Sequence, residues 1–141
     1  MRNYGGKLKR FNLSKKKRLA KGEQFKAVLA RAVCMSNGLL RLYMAENDCG
    51  YPRLGISVGR EWGGAVVRSR LKRVLREVFR QSQDEIPAGF DYLVMLSRSR
   101  SDKSDKAERA REVVRRLSFE QARASFLTLV KAAAAKATRE E

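Results

Sequence analysis

Residues 65–81 set the strongest condition on how this chain folds, because their pattern predicts an amphipathic helix. The apolar residues of this segment recur every three or four positions and share one helical face: Val67, Leu71, Val74, Leu75, Val78 and Phe79. Gly63 and Gly64 break the chain just before it. Such a wide apolar face is stable only when other apolar surface covers it. The rest of the chain must therefore supply a sheet or further helices.

Alternating segments on the N-terminal side of this helix predict two strands. Residues 39–45 and 53–59 alternate as half-buried strands do. In the first, one face carries Leu40, Leu42 and Met44, and the other carries Leu39, Arg41 and Tyr43. The turn-forming residues 47–52 predict that these two strands pair as an antiparallel hairpin. Residues 90–96 are a continuous apolar run, which favours a strand in the middle of the sheet.

Two further helices complete the prediction. The first covers residues 22–31, and the last begins near Ser118, which forms a candidate capping box with Gln121. The resulting order is helix, strand, strand, helix, strand, helix, so we predict a single α+β domain with a small sheet packed by helices. The proposed divisions are a flexible basic arm at 1–17, a domain at 18–135 with a flexible charged insertion at about 99–117, and a tail at 136–141.

The charge of the chain indicates a polyanionic partner. There are 32 Lys and Arg residues against 15 Asp and Glu, a net charge of +17. Within residues 68–80, six positions are basic and only Glu77 is acidic. Arginine grips phosphate oxygens with paired hydrogen bonds, so this helix predicts nucleic-acid binding. Neither pattern nor charge separates RNA from DNA, and a solvated helix face or an anionic membrane surface are the alternatives.

The composition also excludes several kinds of site. The chain has no histidine, which excludes a Ser-His triad and a His-ligated metal. Cys34 and Cys49 cannot close a zinc site alone, and we expect reduced thiols in a cytoplasmic protein. No apolar run approaches the roughly 18 residues of a membrane-spanning helix. The nearest carboxylate candidates for a metal nuclease are Asp84, Glu85 and Asp91, but the first two lie beside a turn, where acids are usually solvated.

Two stretches of the chain resemble the signature of the ribonuclease P protein component family. Residues 52–60 form a short strand that ends in the basic Arg60. Residues 63–80 then continue as Gly-Gly-Ala-Val-Val-Arg-Ser-Arg-Leu-Lys-Arg-Val-Leu-Arg-Glu-Val-Phe-Arg. Residues 89–98 are similar to the family's next strand. The resemblance covers about residues 18–98 and, more loosely, the last helix. It departs from the family at Ser69 (Asn in the family), Glu61 (often basic) and Leu29 (aromatic), and in the longer insertion.

The resemblance implies a function and a fold. The chain would be the protein subunit of ribonuclease P, which assists a catalytic RNA in removing the 5′ leader of precursor tRNA. Catalysis and magnesium ions would belong to the RNA, with no catalytic residue or metal on the protein. The protein would be a monomer in a one-to-one complex with the RNA. Its fold would contain a left-handed β-α-β crossover, against the usual handedness, in a topology similar to a ribosomal-protein domain.

The resemblance also assigns residues to two RNA-binding surfaces. The catalytic RNA would contact Arg68, Ser69, Arg70, Lys72, Arg73 and Arg76. The single-stranded leader would lie on Phe25, Leu29 and Tyr43, with Arg60 near the rim, because bases stack on aromatic rings while cations hold the backbone. Core packing is the alternative for Phe25. The residues alone leave open a ribosomal or other structural RNA-binding protein without a role in cleavage.

Overall fold

The structure, a computed structural model, describes residues 15–19, 22–97, 111, 113–115 and 117–139. Its long helices are α1 (Gly22–Arg31), α2 (Ala65–Ser82) and α3 (Phe119–Arg139). Its strands are β1 (Val33–Ser36), β2 (Leu40–Glu46), β3 (Arg53–Ser57) and β4 (Phe90–Leu96). Short 3-10 turns lie at Lys15–Lys17, Arg60–Trp62 and Gln83–Glu85. The predicted α+β class is confirmed.

The four strands form one mixed sheet in the order β1-β2-β4-β3. β2 pairs antiparallel with β1 and with β4, whereas β3 pairs parallel with β4. The predicted hairpin between residues 39–45 and 53–59 is therefore wrong, because β4 lies between those two strands. Alternation identifies a strand but not its neighbour, and consecutive strands are adjacent only about two-thirds of the time.

β4 lies inside the sheet, as its unbroken apolar sequence predicted. Its neighbours are β2 on one side and β3 on the other. The parallel pair of β3 and β4 is connected through α2, so the chain forms a β-α-β unit around this helix. The left-handed sense of the crossover stays a prediction.

The hairpin of this sheet lies one strand earlier, between β1 and β2. Its turn is held by Asn37, whose Oδ1 accepts hydrogen bonds from the backbone N–H groups of Leu39 and Leu40, both at 2.9 Å. Leu39 precedes the paired part of β2 and is buried in the main core, so its predicted place beside Arg41 and Tyr43 is wrong. β1 was not predicted, because it has only four residues and follows α1 almost directly.

The main core lies between one face of the sheet and the helices α2 and α3. Phe126 of α3 packs edge-on against Phe79 of α2 and Tyr92 of β4, with ring centroids 6.3 and 6.1 Å apart. Around these rings lie the predicted apolar faces: Leu40, Leu42, Met44, Leu54, Leu71, Leu75 and Val78. The hydroxyl of Tyr92 donates to the carbonyl of Pro87 at 2.6 Å, and burial raises the pKa of this tyrosine. The core holds α2 with its basic side outward.

The other face of the sheet is covered in part by α1. A small cluster of buried residues lies between them: Leu19, Val28, Ala45 and Leu93. Phe25, Tyr43 and Met95 pack against this cluster and are half-buried. Gly55 allows the close approach, because a Cβ atom there would lie 3.0 Å from both the Leu19 Cβ and the Phe25 Cε1. The outer part of this face is left open.

The C-terminal end of the predicted basic arm is packed on the domain. The Nζ of Lys17 donates to the Oε1 of Gln83 at 2.9 Å. The Nζ of Lys16 lies 5.0 Å from the ring centre of Tyr51, a cation–π distance. The domain boundary at residue 18 stays a prediction, and residues 1–14 lie outside the described residues.

The end of the predicted insertion also belongs to the folded domain. Val113 and Leu117 are buried in the main core, at 5% and 2% exposure. Residues 111 and 113–115 are helical, but residues 117 and 118 are not, so this stretch is separate from α3. The Oγ of Ser118 accepts a hydrogen bond from the N–H of Gln121 at 3.1 Å, so Ser118 caps α3 with one of the two hydrogen bonds of the predicted capping box. Residues 98–110 lie outside the described residues, and α3 continues into the predicted tail.

A buried ionic cluster ties β3, β4 and the loop before β3 together. Asp91, only 1% exposed, accepts hydrogen bonds from the Nε and Nη2 of Arg53 at 2.7 and 2.8 Å. The Nδ2 of Asn47 donates to the Oδ1 of Asp91 at 2.7 Å. The hydrogen bonds to Asp91 raise the pKa of the Arg53 guanidinium. The geometry gives Asp91 a structural role.

We expect Asp91→Ala to destabilise the protein, because the substitution leaves the partly buried Arg53 guanidinium without its counter-charge. The free energy of unfolding should fall by about 3 kcal/mol, measured by urea denaturation. Glu85→Ala is the control, since it breaks only an exposed pair with Arg123 and should change the free energy by less than about 1 kcal/mol. Equal effects of the two substitutions would contradict the structural role of Asp91.

Candidate nucleic-acid interface

The solvent side of α2 carries all six residues predicted to dock on RNA. At about 1.5 Å rise per residue, the positions from Arg68 to Arg76 span roughly 12 Å of helix. Ser69, Arg70, Arg73 and Arg76 are exposed, while Arg68 and Lys72 are half-buried along one flank. The buried residues of the same helix hold it against the sheet: Leu71, Leu75, Val78, Phe79 and Ser82. The helix therefore presents its basic residues on a supported surface.

Two of these arginines make contacts with backbone carbonyls. The Nε of Arg68 donates to the carbonyl of Gly63 at 3.1 Å, just before the helix begins. The Nη2 of Arg70 donates to the carbonyl of Val114 at 3.4 Å. A guanidinium has five N–H donors, so one bond to a neutral carbonyl leaves charge and donors for a phosphate. These contacts orient the side chains without cancelling their charge.

The basic row ends at Arg80, which is paired within the helix. Its Nε donates to the Oε1 of Glu77 at 3.0 Å, and its Nη2 donates to the second carboxylate oxygen. Hydrogen bonds from Arg80, with a smaller contribution from Gln81, hold the pKa of Glu77 below its usual value. The positive charge of Arg80 is thus locally balanced, and the net positive part of the surface ends near Arg76.

The second candidate surface is the open part of the sheet face beneath α1. Tyr43 of β2 pairs in register with Leu93 of β4, which pairs with Gly55 of β3. Phe25 of α1 lies over Gly55, so Phe25 and Tyr43 belong to the same row across the sheet. Each ring is half-buried in the small cluster and half-exposed. Two partly exposed rings on one surface suit the stacking of bases, and Phe25 also packs as a core residue.

The other two residues predicted for this surface have different surroundings. Leu29 of α1 is not in the small cluster, and its side chain is 43% exposed. Arg60 is exposed in the short 3-10 turn that leads from β3 to α2. Trp62, in the same turn, is buried in the main core and anchors it. Arg60 therefore lies where the chain passes from the sheet to the basic helix.

Three further residues of the open face were not predicted to bind the leader. Arg41 pairs with Met95, which pairs with Ser57, so they form the row next to that of Tyr43. All three are half-buried. The alternation of β2 placed Arg41 on the face of Tyr43 and would have been enough to find it. Met95 and Ser57 required the strand order, which local sequence does not contain.

The acidic residues considered for a metal nuclease have other surroundings. Asp91 is enclosed by Arg53 and Asn47, and Glu85 is paired with Arg123. Across the part of the chain that the structure describes, no three Cys, Asp or Glu side chains lie close enough to hold one metal ion. Within the same residues, no helix is both long and apolar enough to cross a bilayer.

Comparison with known proteins identifies the family. The family model described as Ribonuclease P matches residues 13–134, which include both candidate surfaces. The chain belongs to the ribonuclease P protein family. A ribonuclease P protein component from Clostridium botulinum is 38% identical over 92 residues, which cover 64% of this chain and 82% of that protein. One from Natranaerobius thermophilus is 36% identical over 97 residues, covering 69% and 84%.

Solved structures of ribonuclease P proteins share the fold. The protein from Thermotoga maritima is 31% identical, has a TM-score of 0.66, and is matched over 82% of this chain and 96% of its own. The protein from Staphylococcus aureus has a TM-score of 0.63 at 24% identity, over 83% and 94% of the two chains, and supports the fold alone. The family resemblance recognised in the arginine-rich segment is confirmed, while the roles of individual residues stay predictions.

We expect Glu77→Gln to strengthen RNA binding, because it removes the partner that balances Arg80. Affinity for a bacterial ribonuclease P RNA should rise about threefold, and the salt dependence of log Kd should steepen by roughly one, in filter-binding titrations. Glu85→Gln is the matched control, since it removes the same charge outside α2. The same gain from both substitutions would mean that net charge, and not the α2 surface, governs binding.

Proposed function

We propose that this chain is the protein component of ribonuclease P, and that it binds the catalytic RNA and precursor tRNA during removal of the 5′ leader. The observation that carries the proposal is the family match over residues 13–134. The relatives that support it are protein components of ribonuclease P, an endoribonuclease, and the match covers most of their length. A structural or ribosome-associated RNA-binding protein without a role in cleavage is not favoured.

In this proposal α2 docks on the catalytic RNA. The helix is held by its buried face, so its exposed arginines approach the RNA with little loss of backbone freedom. Arg70, Arg73 and Arg76 reach outward for phosphate oxygens, and Arg68 and Lys72 supply charge along the flank. Ser69 is exposed between them and offers a hydroxyl for a polar contact. Affinity would depend on salt, because each bound phosphate releases counterions.

The 5′ leader would lie on the open sheet face. Bases of a single strand would stack on Phe25 and Tyr43, with Leu29 as an exposed apolar contact. Arg60 and Arg41 would hold the phosphates beside these rings. Mature tRNA has no leader, so this surface would favour precursor over mature tRNA.

The chemistry of cleavage is assigned to the RNA subunit. In this proposal, magnesium ions would bind to that RNA and supply metal-assisted hydrolysis there. The residues of this chain bind the two RNA molecules, position the leader and screen phosphate repulsion. One protein molecule would join one catalytic RNA in the cytoplasm.

Cleavage of precursor tRNA at low magnesium tests the docking role. Adding this protein to a ribonuclease P RNA from a close relative should stimulate cleavage, because the protein screens repulsion between the RNA molecules. Arg68→Ala/Arg70→Ala should lose most of the stimulation and weaken RNA binding about tenfold or more. Lys131→Ala/Lys136→Ala removes two charges from α3 and should keep both activities. Tight RNA binding without stimulation would favour the general RNA-binding alternative.

The ratio of precursor to mature tRNA affinity tests the leader surface. Phe25→Ala/Tyr43→Ala should lower that ratio about tenfold, because stacking contributes about 1–3 kcal/mol per base. Phe25→Tyr/Tyr43→Phe retains both rings and should retain the ratio. Affinities are to be measured with the assembled complex of protein and catalytic RNA. If the alanine variant is as stable as wild type and its affinity ratio is unchanged, the leader does not bind this face.

A further inference from the structure

Arg111, residues 113–115 and Leu117 belong to a folded segment beside the arginine-bearing helix. Val113 and Leu117 are buried in the main core, and Val114 packs against the same core in a half-buried position. Residues 111 and 113–115 are helical. The segment is therefore anchored by apolar contacts, which places Arg111 and Arg115 on a supported turn of helix.

One hydrogen bond places this segment next to the predicted RNA-docking surface. The Nη2 of Arg70 donates to the carbonyl of Val114 at 3.4 Å. Arg70 lies on the flank of α2 that borders the half-buried Val67 and Val74, at 3.6 residues per turn. The segment thus lies along that flank, and its surface adjoins the exposed surface of α2. It is on the side of the sheet opposite to Phe25 and Tyr43.

Two arginines lie on the exposed side of the segment. Arg111 and Arg115 are both exposed, and their spacing of four residues places them on one helical face, roughly opposite Val113. Both side chains also interact within the protein. The stretch stays positive as a whole, since residues 111–117 contain three arginines and one acid, Glu112. A polyanion that binds Arg70 would therefore also meet the positive charge of this stretch.

We propose that Arg111 and Arg115 extend the RNA-docking surface of α2 by binding phosphates of the catalytic RNA. The inference rests on the proposed function of α2. The partner is the catalytic RNA and not the leader, because the segment adjoins Arg70 and faces away from the open sheet face. The part of the chain predicted as an insertion thereby contributes a binding surface.

The test compares binding of the full chain to a ribonuclease P RNA from a close relative, without tRNA, at several salt concentrations. Arg111→Ala/Arg115→Ala should weaken binding about three- to tenfold and reduce the slope of log Kd against log salt by roughly one to two. Arg111→Lys/Arg115→Lys should restore the slope, because it retains the charges. Arg111→Gln/Arg115→Gln retains long side chains that suit a helix and should show the same loss as the alanine variant.

Two further arms separate the possible outcomes. Lys131→Ala/Lys136→Ala removes the same charge from α3 and should leave the affinity and slope near those of wild type. Arg68→Ala/Arg70→Ala reports on the proposed function itself. If Arg68→Ala/Arg70→Ala weakens binding but the alanine and glutamine variants of Arg111 and Arg115 bind like wild type, the inference is overturned and the docking role of α2 stands. The titrations are then repeated with precursor tRNA added, and a loss that appears only in its presence would also overturn the inference. Wild-type binding by every variant would overturn the docking role of α2 as well.

Discussion

The packing of α2 on the sheet is the contact on which the rest of the molecule depends. Phe79, Tyr92 and Phe126 bring α2, the inner strand β4 and α3 to a single aromatic contact. Because this contact buries the apolar side of α2, the arginines on the opposite side of that helix face the solvent. The same packing leaves the opposite sheet face to α1, which is too short to cover it. One core contact thus produces both surfaces that we assign to RNA.

Much of this arrangement was predictable from local sequence. The bounds of α1, α2 and β4 follow from apolar spacing, and the Ser118 cap follows from a short motif. The partners of β2 and β3 do not, because strand order depends on how the β-α-β unit folds back. The four-residue β1 was too short for its alternation to be recognised. Val113 and Leu117 were hidden in a stretch whose average composition is polar, although two apolar residues are enough to anchor a turn of helix.

The candidate site also has a part that was predictable from local sequence and a part that depends on the tertiary fold. The arginines of α2 lie in one continuous segment, so their shared surface was visible in the sequence. Phe25 and Tyr43 were found through resemblance, and the structure brings them together through Gly55 and Leu93, which carry no functional signal. Met95 and Ser57 join them only because β4 and β3 are neighbours. The pairing of Arg80 with Glu77 depends on the rotamers of the two side chains, so it could not be predicted by counting charges in the sequence.

The strand order has a consequence for how the chain folds during synthesis. β4 is made last of the four strands, yet it belongs between β2 and β3. Until it emerges from the ribosome, β2 and β3 each have an open edge, and β3 lacks the strand with which it pairs in the described sheet. Sheet formation thus waits for contacts between distant parts of the chain, which gives a high contact order and slows folding. A nascent chain that ends before Phe90 would expose the apolar side of α2 together with its arginines, a combination that favours premature association with any RNA nearby.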